Sequence, residues 1–172
     1  SSFAGEKTAQ GNADSNAIGD FYYPVPAGFL ALCTSNLPAP PIAISGENFN
    51  PVIYTGNAAA SHAVTGVGFQ PDLTWLKKYE DTDKHTLYDA VRTATKYLTV
   101  DTNAAEVTEG TSLKSFDSDG FTVGDWDDVN GNGSSFVSWN WLANGSGSSN
   151  TTGTIDSTVS ANSTAGFSIV KY

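Results

Sequence analysis

Residues that break helices and start turns recur along the whole chain, and they limit what it can fold into. Its 172 residues include 17 Gly and 7 Pro, and Ser, Thr and Asn are abundant as well. They interrupt every stretch before an apolar period of 3.6 residues completes three helical turns. A fold built from long helices is therefore not expected.

Short runs rich in β-branched and aromatic residues lie between these turn residues. They include NPVIYTG, HAVTGVGF, LTWLKKY, KYLTVD, GFTVG, SSFVSWNW and GFSIVKY. Runs of this length, separated by Gly, Asn and Asp, are typical of antiparallel sandwiches and barrels. Residues 86–98 also have near-helical spacing, but their Thr, Tyr and Val content favours strands. The sequence predicts an all-β fold, an antiparallel β-sandwich with little helix.

The run SSFVSWNW shows the clearest alternation in the sequence. One face carries Ser135, Val137, Trp139 and Trp141. The opposite face carries Phe136, Ser138 and Asn140, because successive side chains of a strand point to opposite sides. Since two tryptophans end the first face, we expect that face to pack against the core. Trp75, in LTWLKKY, is expected in the core as well.

The charge balance excludes two classes of partner. Eight Lys and Arg face eighteen Asp and Glu, which gives a net charge of −10. Nucleic acids and anionic membranes are bound by cationic surfaces, so we expect neither as a partner. The apolar stretch 21–46 contains five prolines. Prolines at that density break a membrane-spanning helix.

An acidic loop, residues 125–133, is the best candidate for metal binding. Asp125, Asp127, Asp128 and Asn130 place three carboxylates and an amide within six positions. Calcium prefers hard oxygen ligands on a flexible turn, so these four residues form a candidate calcium site. The loop departs from the EF-hand pattern, because Phe136 stands where the twelfth-position Glu would be. Asp and Asn are also ordinary turn residues, and a plain turn is the alternative.

Trp126 lies inside this acidic loop and is the tryptophan expected to be most exposed. An exposed aromatic ring beside Asp125, Asp127 and Asp128 could stack on a sugar while the carboxylates accept its hydroxyl groups. These four residues therefore form a candidate glycan-binding site. The alternative is an indole folded back over the end of the sandwich.

Catalytic residues are not predicted. His85, Asp89 and Arg92 could form a polar cluster, but Asp89 with Arg92 is more simply a salt bridge that fixes a loop. The sequence contains neither a G-x-S-x-G nucleophile elbow nor a metal-binding histidine pair. Asp117-Ser118-Asp119-Gly120 is interpreted as a hairpin turn.

Composition divides the chain into four segments. Residues 1–43 contain two predicted strands and a proline-rich hinge, and residues 44–143 carry the predicted sandwich. Residues 144–165, rich in Ser, Thr and Gly, are predicted to be a linker or loop. Residues 166–172 (GFSIVKY) repeat the pattern of residues 48–54 (NFNPVIY), which predicts the first strand of a following repeat. Two strands alone are unstable, so we expect neighbouring units to complete the sheets in a homo-oligomer, either a trimer or a fibre.

Several of these segments resemble a known family. GDFYYPVPAGFLALCTSNLPAPPIA (residues 19–43) resembles the end of the SPRY-like domains of phage tail-fibre proteins, in particular of marine and cyanobacterial phages. NFNPVIYTGN, TGVGFQPDLTWLKK, HTLYDAVRTATKYL, SLKSFDSDGFTVG and SSFVSWNW are similar, in order, to the module that follows in those proteins. The resemblance implies a concanavalin-like or jelly-roll-like sandwich at the virion surface.

The resemblance also implies a functional class. We expect a structural and adhesive module of a tail fibre or other virion appendage, in contact with other virion proteins and with host surface polysaccharide. No enzymatic activity and no cofactor other than calcium is expected. The alternatives are a lectin or glycan-depolymerising enzyme on the same sandwich, and a module of a bacterial extracellular filament or adhesin.

Overall fold

The computed structural model describes residues 5–40 and 42–172, and strands dominate it. Strands make up 35% of the chain and helix 6%, with antiparallel pairing throughout, so the predicted all-β sandwich is confirmed. The strands in chain order are β1 (Phe49–Thr55), β2 (His62–Thr65), β3 (Leu73–Lys78), β4 (Thr86–Asp89), β5 (Lys96–Thr99), β6 (Val107–Thr108), β7 (Leu113–Asp117), β8 (Gly120–Val123), β9 (Ser135–Trp141), β10 (Ser148–Asn150), β11 (Ser157–Asn162) and β12 (Phe167–Lys171). Helix in the described residues is confined to α1 (Asp127–Asn130) and to 3-10 turns at Thr34–Asn36 and Ser45–Glu47.

The chain divides into two compact units, Ser1–Pro40 and Pro41–Tyr172. In residues 5–40 neither of the two predicted strands forms, and the β pairing described there is an isolated bridge between Asn12 and Phe21. The buried Asp14 carboxylate organises this unit by accepting hydrogen bonds from three backbone N–H groups and from Asn36 Nδ2. Burial alone would raise the pKa of Asp14, but these hydrogen bonds outweigh burial and lower it to about 2.

The second unit is a sandwich with one core. A six-stranded sheet in the order β1-β9-β3-β4-β5-β6 packs against a three-stranded sheet in the order β2-β8-β7. Both sheets and α1 contribute to the core, through Tyr54, Val64, Leu76, Tyr88, Tyr97, Leu113, Phe121, Val123, Val129 and Phe136. β9 comes late in the sandwich sequence but lies between the early strands β1 and β3. The beginning and the end of the sandwich sequence are therefore paired in one sheet.

The prediction that the tryptophan face of β9 packs in the core is wrong. Phe136, Ser138 and Asn140 are fully buried and face the sandwich interior, whereas Trp139 and Trp141 are half-buried on the other side. Trp75 of β3 also lies on that other side, outside the core. Burial of Ser138 and Asn140 is tolerated because both side chains are hydrogen-bonded.

The predicted hairpin turn at Asp117-Ser118-Asp119-Gly120 is present and joins β7 to β8. Asp117 pairs with Gly120 across a two-residue loop. Gly120 has a φ of +146°, and a Cβ there would lie 2.0 Å from the Val64 carbonyl oxygen. Glycine is therefore required both by the backbone conformation and by the approach of β2.

The C-terminal segment differs from the predicted linker. Residues 144–165 contain β10 and β11, and these strands form a three-stranded sheet with β12. Ser160 and Ile169 pair directly across β11 and β12, and both are buried. The strand predicted to open a following repeat therefore completes a sheet within this unit. The two phenylalanines of the sequence repeat, Phe49 and Phe167, both contact the Trp141 ring.

Candidate functional site

The acidic loop folds into the short helix α1, which closes one end of the sandwich. Val129 of this helix enters the core, and its carbonyl oxygen accepts a hydrogen bond of 2.6 Å from the Tyr54 hydroxyl. The loop after β1 passes so close to α1 that a Cβ on Gly56 would lie 2.2 Å from the Gly131 carbonyl oxygen. The loop thus packs tightly against the sandwich.

Asn130, predicted as a calcium ligand, is a buried structural residue. Its Oδ1 accepts the Asn57 backbone N–H at 2.9 Å and lies 2.8 Å from His62 Nδ1. Its Nδ2 donates to Asn57 Oδ1, Ala59 O and Gly124 O. With its amide oxygen and nitrogen both engaged, Asn130 holds α1 to the loop after β1.

Three carboxylates do converge at this end of the sandwich. Oxygen atoms of Asp83, Asp127 and Asp128 all lie within 4.8 Å of one another. Asp127 and Asp128 were predicted as ligands, whereas the exposed Asp125 lies outside this group. Asp83 was missed, because it precedes β4 in the sequence and only the folding of the sheet brings it to α1.

Lys78 supplies a positive charge to this acidic trio. Its Nζ lies 3.0 Å from Asp127 Oδ2 and 3.0 Å from Asp83 Oδ2. Hydrogen bonds to Asp83 and Asp127 raise the pKa of the Lys78 ammonium above its usual range. Burial of Asp128, together with the nearby negative charge of Asp83, raises the pKa of its carboxyl group. Three oxygen donors could hold a cation here, but a lysine ammonium already lies between two of them.

Trp126, predicted to be exposed for sugar stacking, is half-buried against the core. Its ring lies 5.2 Å from that of Tyr97, with 32° between the ring planes. The indole therefore takes the alternative position that the sequence left open, folded over the end of the sandwich.

The polar cluster predicted around His85, Asp89 and Arg92 separates into two structural pairs. Asp89 is almost fully buried, accepts the Arg92 backbone N–H at 2.7 Å and forms an ion pair with the Arg92 guanidinium. His85 instead accepts a hydrogen bond of 3.2 Å from Trp75 Nε1. The Asp89–Arg92 pair fixes the loop after β4, as the simpler interpretation of the sequence had it.

An apolar surface covers the outward side of the six-stranded sheet. We call this side the outer face and define it by Phe49, Pro51, Ile53, Leu73, Trp75, Lys77, Leu87, Leu98, Val137, Trp139 and Trp141. Strand register places five of these side chains in one row across the sheet, in the order Pro51, Trp139, Trp75, Leu87 and Leu98. A second row contains Ile53, Val137 and Lys77. A third contains Phe49, Trp141, Leu73 and the buried Asp89, which pairs with Leu73 across β3 and β4.

The outer face is partly open to solvent. Ile53 is 72% exposed and Phe49 is 36% exposed at its β1 border. The central side chains, including Trp75 and Trp139, are half-buried, and the Phe167 ring of β12 stacks on Trp141 at 6.2 Å, so the third sheet covers part of this face. An antiparallel sheet normally turns a polar face to water, so an apolar outward face is unusual. Large exposed apolar patches mark interaction surfaces.

Two cavities lie elsewhere. One, of about 400 Å³, is lined in the first unit by Lys7, residues 21–26, Phe29 and Leu30. The other, of about 330 Å³, lies beside the third sheet and is lined by Val91, Ser149, residues 156–158, Lys171 and Tyr172. Neither cavity includes a member of the acidic trio, so the trio lies at the surface rather than in either cavity.

Fold and surfaces together define an all-β sandwich module with a structural polar network and an apolar outer face. The chain belongs to the family described as Domain of unknown function (DUF7483), which matches residues 44–172. The match begins at the start of the predicted sandwich module and continues through the third sheet. Comparison with curated proteins and with solved structures gives no match. Among the described residues, no helix has the length and apolar character needed to cross a membrane.

Proposed function

We propose that this chain is a non-enzymatic structural and adhesive module of a phage tail fibre or another virion appendage. The observation that carries the proposal is the use of its polar residues. The side chains best suited to chemistry are engaged in holding loops to the sandwich, as Asn130, Lys78 and Asp89 show most clearly. The ordered resemblance of several segments to tail-fibre proteins supports the same proposal.

The proposed location is the virion surface, and the proposed partners are copies of this chain, in a trimer or fibre, and other virion proteins. The large hydrophobic side chains that residues 5–40 leave exposed support assembly. Tyr23 is 72% exposed, Phe29 69% and Leu32 92%. Exposed apolar side chains in such number are unfavourable in an isolated protein and are stabilised by burial against a partner.

Contact with host surface polysaccharide remains part of the proposal, but the acidic loop supports it less than the sequence indicated. Trp126 packs on Tyr97, and Asp127 pairs with Lys78. A depolymerase would need two carboxylates flanking a sugar-binding cleft. The acidic trio is in neither of the two cavities described above, which favours the structural module over that enzyme.

Immunogold electron microscopy with antibodies against residues 1–172 tests the proposal. The antibodies are applied to virus particles and to cells from the culture that makes the protein. Labelling of fibres or spikes on the particles is expected. Labelling of cell-surface filaments instead would overturn the virion assignment in favour of the bacterial filament. Labelling of neither, together with release of reducing sugar from a surface polysaccharide, would favour the enzyme.

A further inference from the structure

The polar side chains around the cavity beside the third sheet are unengaged, unlike those of the acidic loop. The cavity has a volume of about 330 Å³ and is lined by Val91, Ser149, residues 156–158, Lys171 and Tyr172. Within residues 5–40 and 42–172, none of the lining side chains makes a hydrogen bond or an ion pair. In the acidic loop, by contrast, Asp127 pairs with Lys78, and both ends of the Asn130 amide are engaged. The donors and acceptors of the cavity are therefore available to a ligand.

Strand pairing places three of the lining side chains side by side. Ser149 of β10 pairs with Thr158 of β11, and Thr158 pairs with Lys171 of β12. Directly paired residues share one face of a sheet, so two hydroxyl groups and an ammonium group form a row. Ser160 lies two residues after Thr158 on the same face and is buried, so this face is turned toward the rest of the unit. A row built on strands holds its polar groups in defined positions, as a binding site requires.

The remaining lining residues complete a set of mixed chemistry without net charge. Asp156, directly before β11, adds a carboxylate, and Tyr172 adds a phenol ring, the residue being 90% exposed. Val91 comes from the loop after β4, which the ion pair between Asp89 and Arg92 fixes. One carboxylate and one ammonium group balance each other. A neutral ligand rich in hydroxyl groups can donate hydrogen bonds to the carboxylate and accept them from the ammonium group.

Other classes of ligand fit this lining less well. Asp, Lys and Ser are depleted in protein interfaces, whereas they make up most of the lining here. An anion would meet the Asp156 carboxylate and a chain with a net charge of −10. A single carboxylate is a poor match for calcium, which takes about six to eight oxygen ligands. A neutral sugar meets none of these obstacles, and the apolar side of its ring can lie against the Tyr172 ring.

We infer that the cavity beside the third sheet is the glycan-binding site of this module, and that its ligand is a neutral oligosaccharide of hexose units. The inference rests on the proposed function, because it names the place and the chemistry of the polysaccharide contact proposed there. The volume of about 330 Å³ is at the lower end of the ~300–1,000 Å³ that is usual for small-molecule sites. The cavity therefore binds a short part of a polysaccharide, and we expect a dissociation constant on the order of 1 mM for a free trisaccharide.

The test is a titration of nitrogen-15-labelled residues 1–172, followed by the amide chemical shifts. The probes are neutral trisaccharides of glucose, of mannose and of galactose, with trigalacturonate as the anionic counterpart, each up to about 20 mM so that the expected dissociation constant is bracketed. Asp156→Ala and Thr158→Val change the lining. Asp101→Ala and Thr108→Val are the matched controls, because both residues are exposed and neither lines the cavity. The amide spectrum also shows whether each variant is folded.

We expect at least one neutral trisaccharide to shift amides of β10, β11 and β12, and trigalacturonate to leave them unchanged. Asp156→Ala should weaken binding at least about tenfold, since it removes a hydrogen bond to a charged group, and Thr158→Val about threefold. Both controls should bind like the native chain. Unchanged binding by both folded lining variants, with shifts elsewhere, would overturn the cavity as the site, while the adhesive function stands.

Two further outcomes would overturn the inference. Binding of trigalacturonate alone would contradict a neutral ligand. Binding of none of the four sugars would remove the polysaccharide contact from this module, whereas its place on the virion is decided separately by the immunogold labelling.

Discussion

The core face of the six-stranded sheet buries Thr74, Ser138 and Asn140 completely, whereas the outer face leaves Ile53 72% exposed. Polarity is thus partly inverted relative to an ordinary sheet. On the core face, Thr74 Oγ1 donates to Asn140 Oδ1 at 3.1 Å, and Asn140 Nδ2 donates to Ser138 Oγ and to Asn50 O, each at 3.0 Å. The comparison teaches that a core face can include polar side chains when each of them has a buried hydrogen-bond partner.

The largest effect on stability is expected from truncating a core side chain of β9. Phe136→Ala removes a fully buried ring that stacks on Tyr54 at 5.1 Å. We expect it to lower the free energy of unfolding by about 3–5 kcal/mol. The neighbouring Val137→Ala, on the outer face, should cost about 1 kcal/mol or less, because its site is already partly solvated. Urea unfolding at low protein concentration measures both. Equal losses would contradict the assignment of the two faces.

A smaller effect is expected from the polar part of the core face. Asn140→Ala leaves the Asn50 carbonyl and the Thr74 hydroxyl without their buried partner, and we expect a loss of about 1–3 kcal/mol. Asn132→Ala, at an exposed position after α1, is the control and should change stability by less than about 0.5 kcal/mol. An Asn140→Ala protein as stable as the native chain would mean that the buried network does not stabilise the core face.

Two adjacent lysines of β3 allow the two faces to be compared for a charged side chain. Lys78 lies on the core face and Lys77 on the outer face. Lys78→Gln removes the cation between Asp83 and Asp127, and we expect it to destabilise the fold by about 1 kcal/mol, since Asp127 is largely open to solvent. Lys77→Gln loses the partly solvated hydrogen bonds from its Nζ to the carbonyl oxygens of Asp81 and Asp83 and should cost about 0.5 kcal/mol or less. Differential scanning fluorimetry measures both.

Calcium should distinguish the same two variants. Without Lys78 the acidic trio is uncompensated, so millimolar calcium is expected to raise the Tm of Lys78→Gln more than that of Lys77→Gln or of the native chain. EDTA reverses the effect. If the native chain gains as much as Lys78→Gln, calcium binds at the acidic trio even with the lysine present, and Asp127 and Asp128 of the predicted site are supported as ligands.

The smallest effect is expected at Asp128. Because its pKa is raised in the folded chain, the folded state holds a proton more tightly than the unfolded chain. The resulting destabilisation is absent at low pH and appears as pH rises through the folded pKa. Asp128→Asn should therefore stabilise the fold by up to about 0.5 kcal/mol at pH 7.5 and have almost no effect at about pH 2.5, below the ordinary carboxyl value of 3.8, where both states hold the proton. Thermal unfolding of Asp128→Asn and of the exposed control Asp125→Asn, at both pH values, checks the sign.

The acidic loop shows how far sequence reasoning reaches at a candidate site. Its composition predicts clustered carboxylates, and Asp127 and Asp128 do converge. Lys78 at the end of β3 and Asp83 in the loop before β4 complete the cluster. Their spacing along the chain gives no sign that they join it. Asn130 carries the same chemistry as a calcium ligand, but its position in α1 turns it into the core. Residue type indicates what a group can bind, whereas burial decides whether it is free to do so.

The C-terminal segment gives the same lesson for the fold. Its Ser, Thr, Gly and Asn content is typical of a linker, yet β10 and β11 form there because β12 offers a strand with which to pair. Strand propensity depends on such neighbours more than on the backbone preference of each residue. Composition alone therefore favours the linker, and pairing with Phe167–Lys171 overrides it.

The sequence by itself determined the all-β class, the short strands and the hairpin turn before Gly120. Local patterns suffice for these, because alternation and turn chemistry act over a few residues. Tertiary structure alone decided which side of β9 became the core. That choice depends on partners more than 60 residues away in the chain, such as Tyr54 beside Phe136 and Thr74 beside Asn140. A strand with apolar residues on both faces can bury either one, and long-range pairing selects between them.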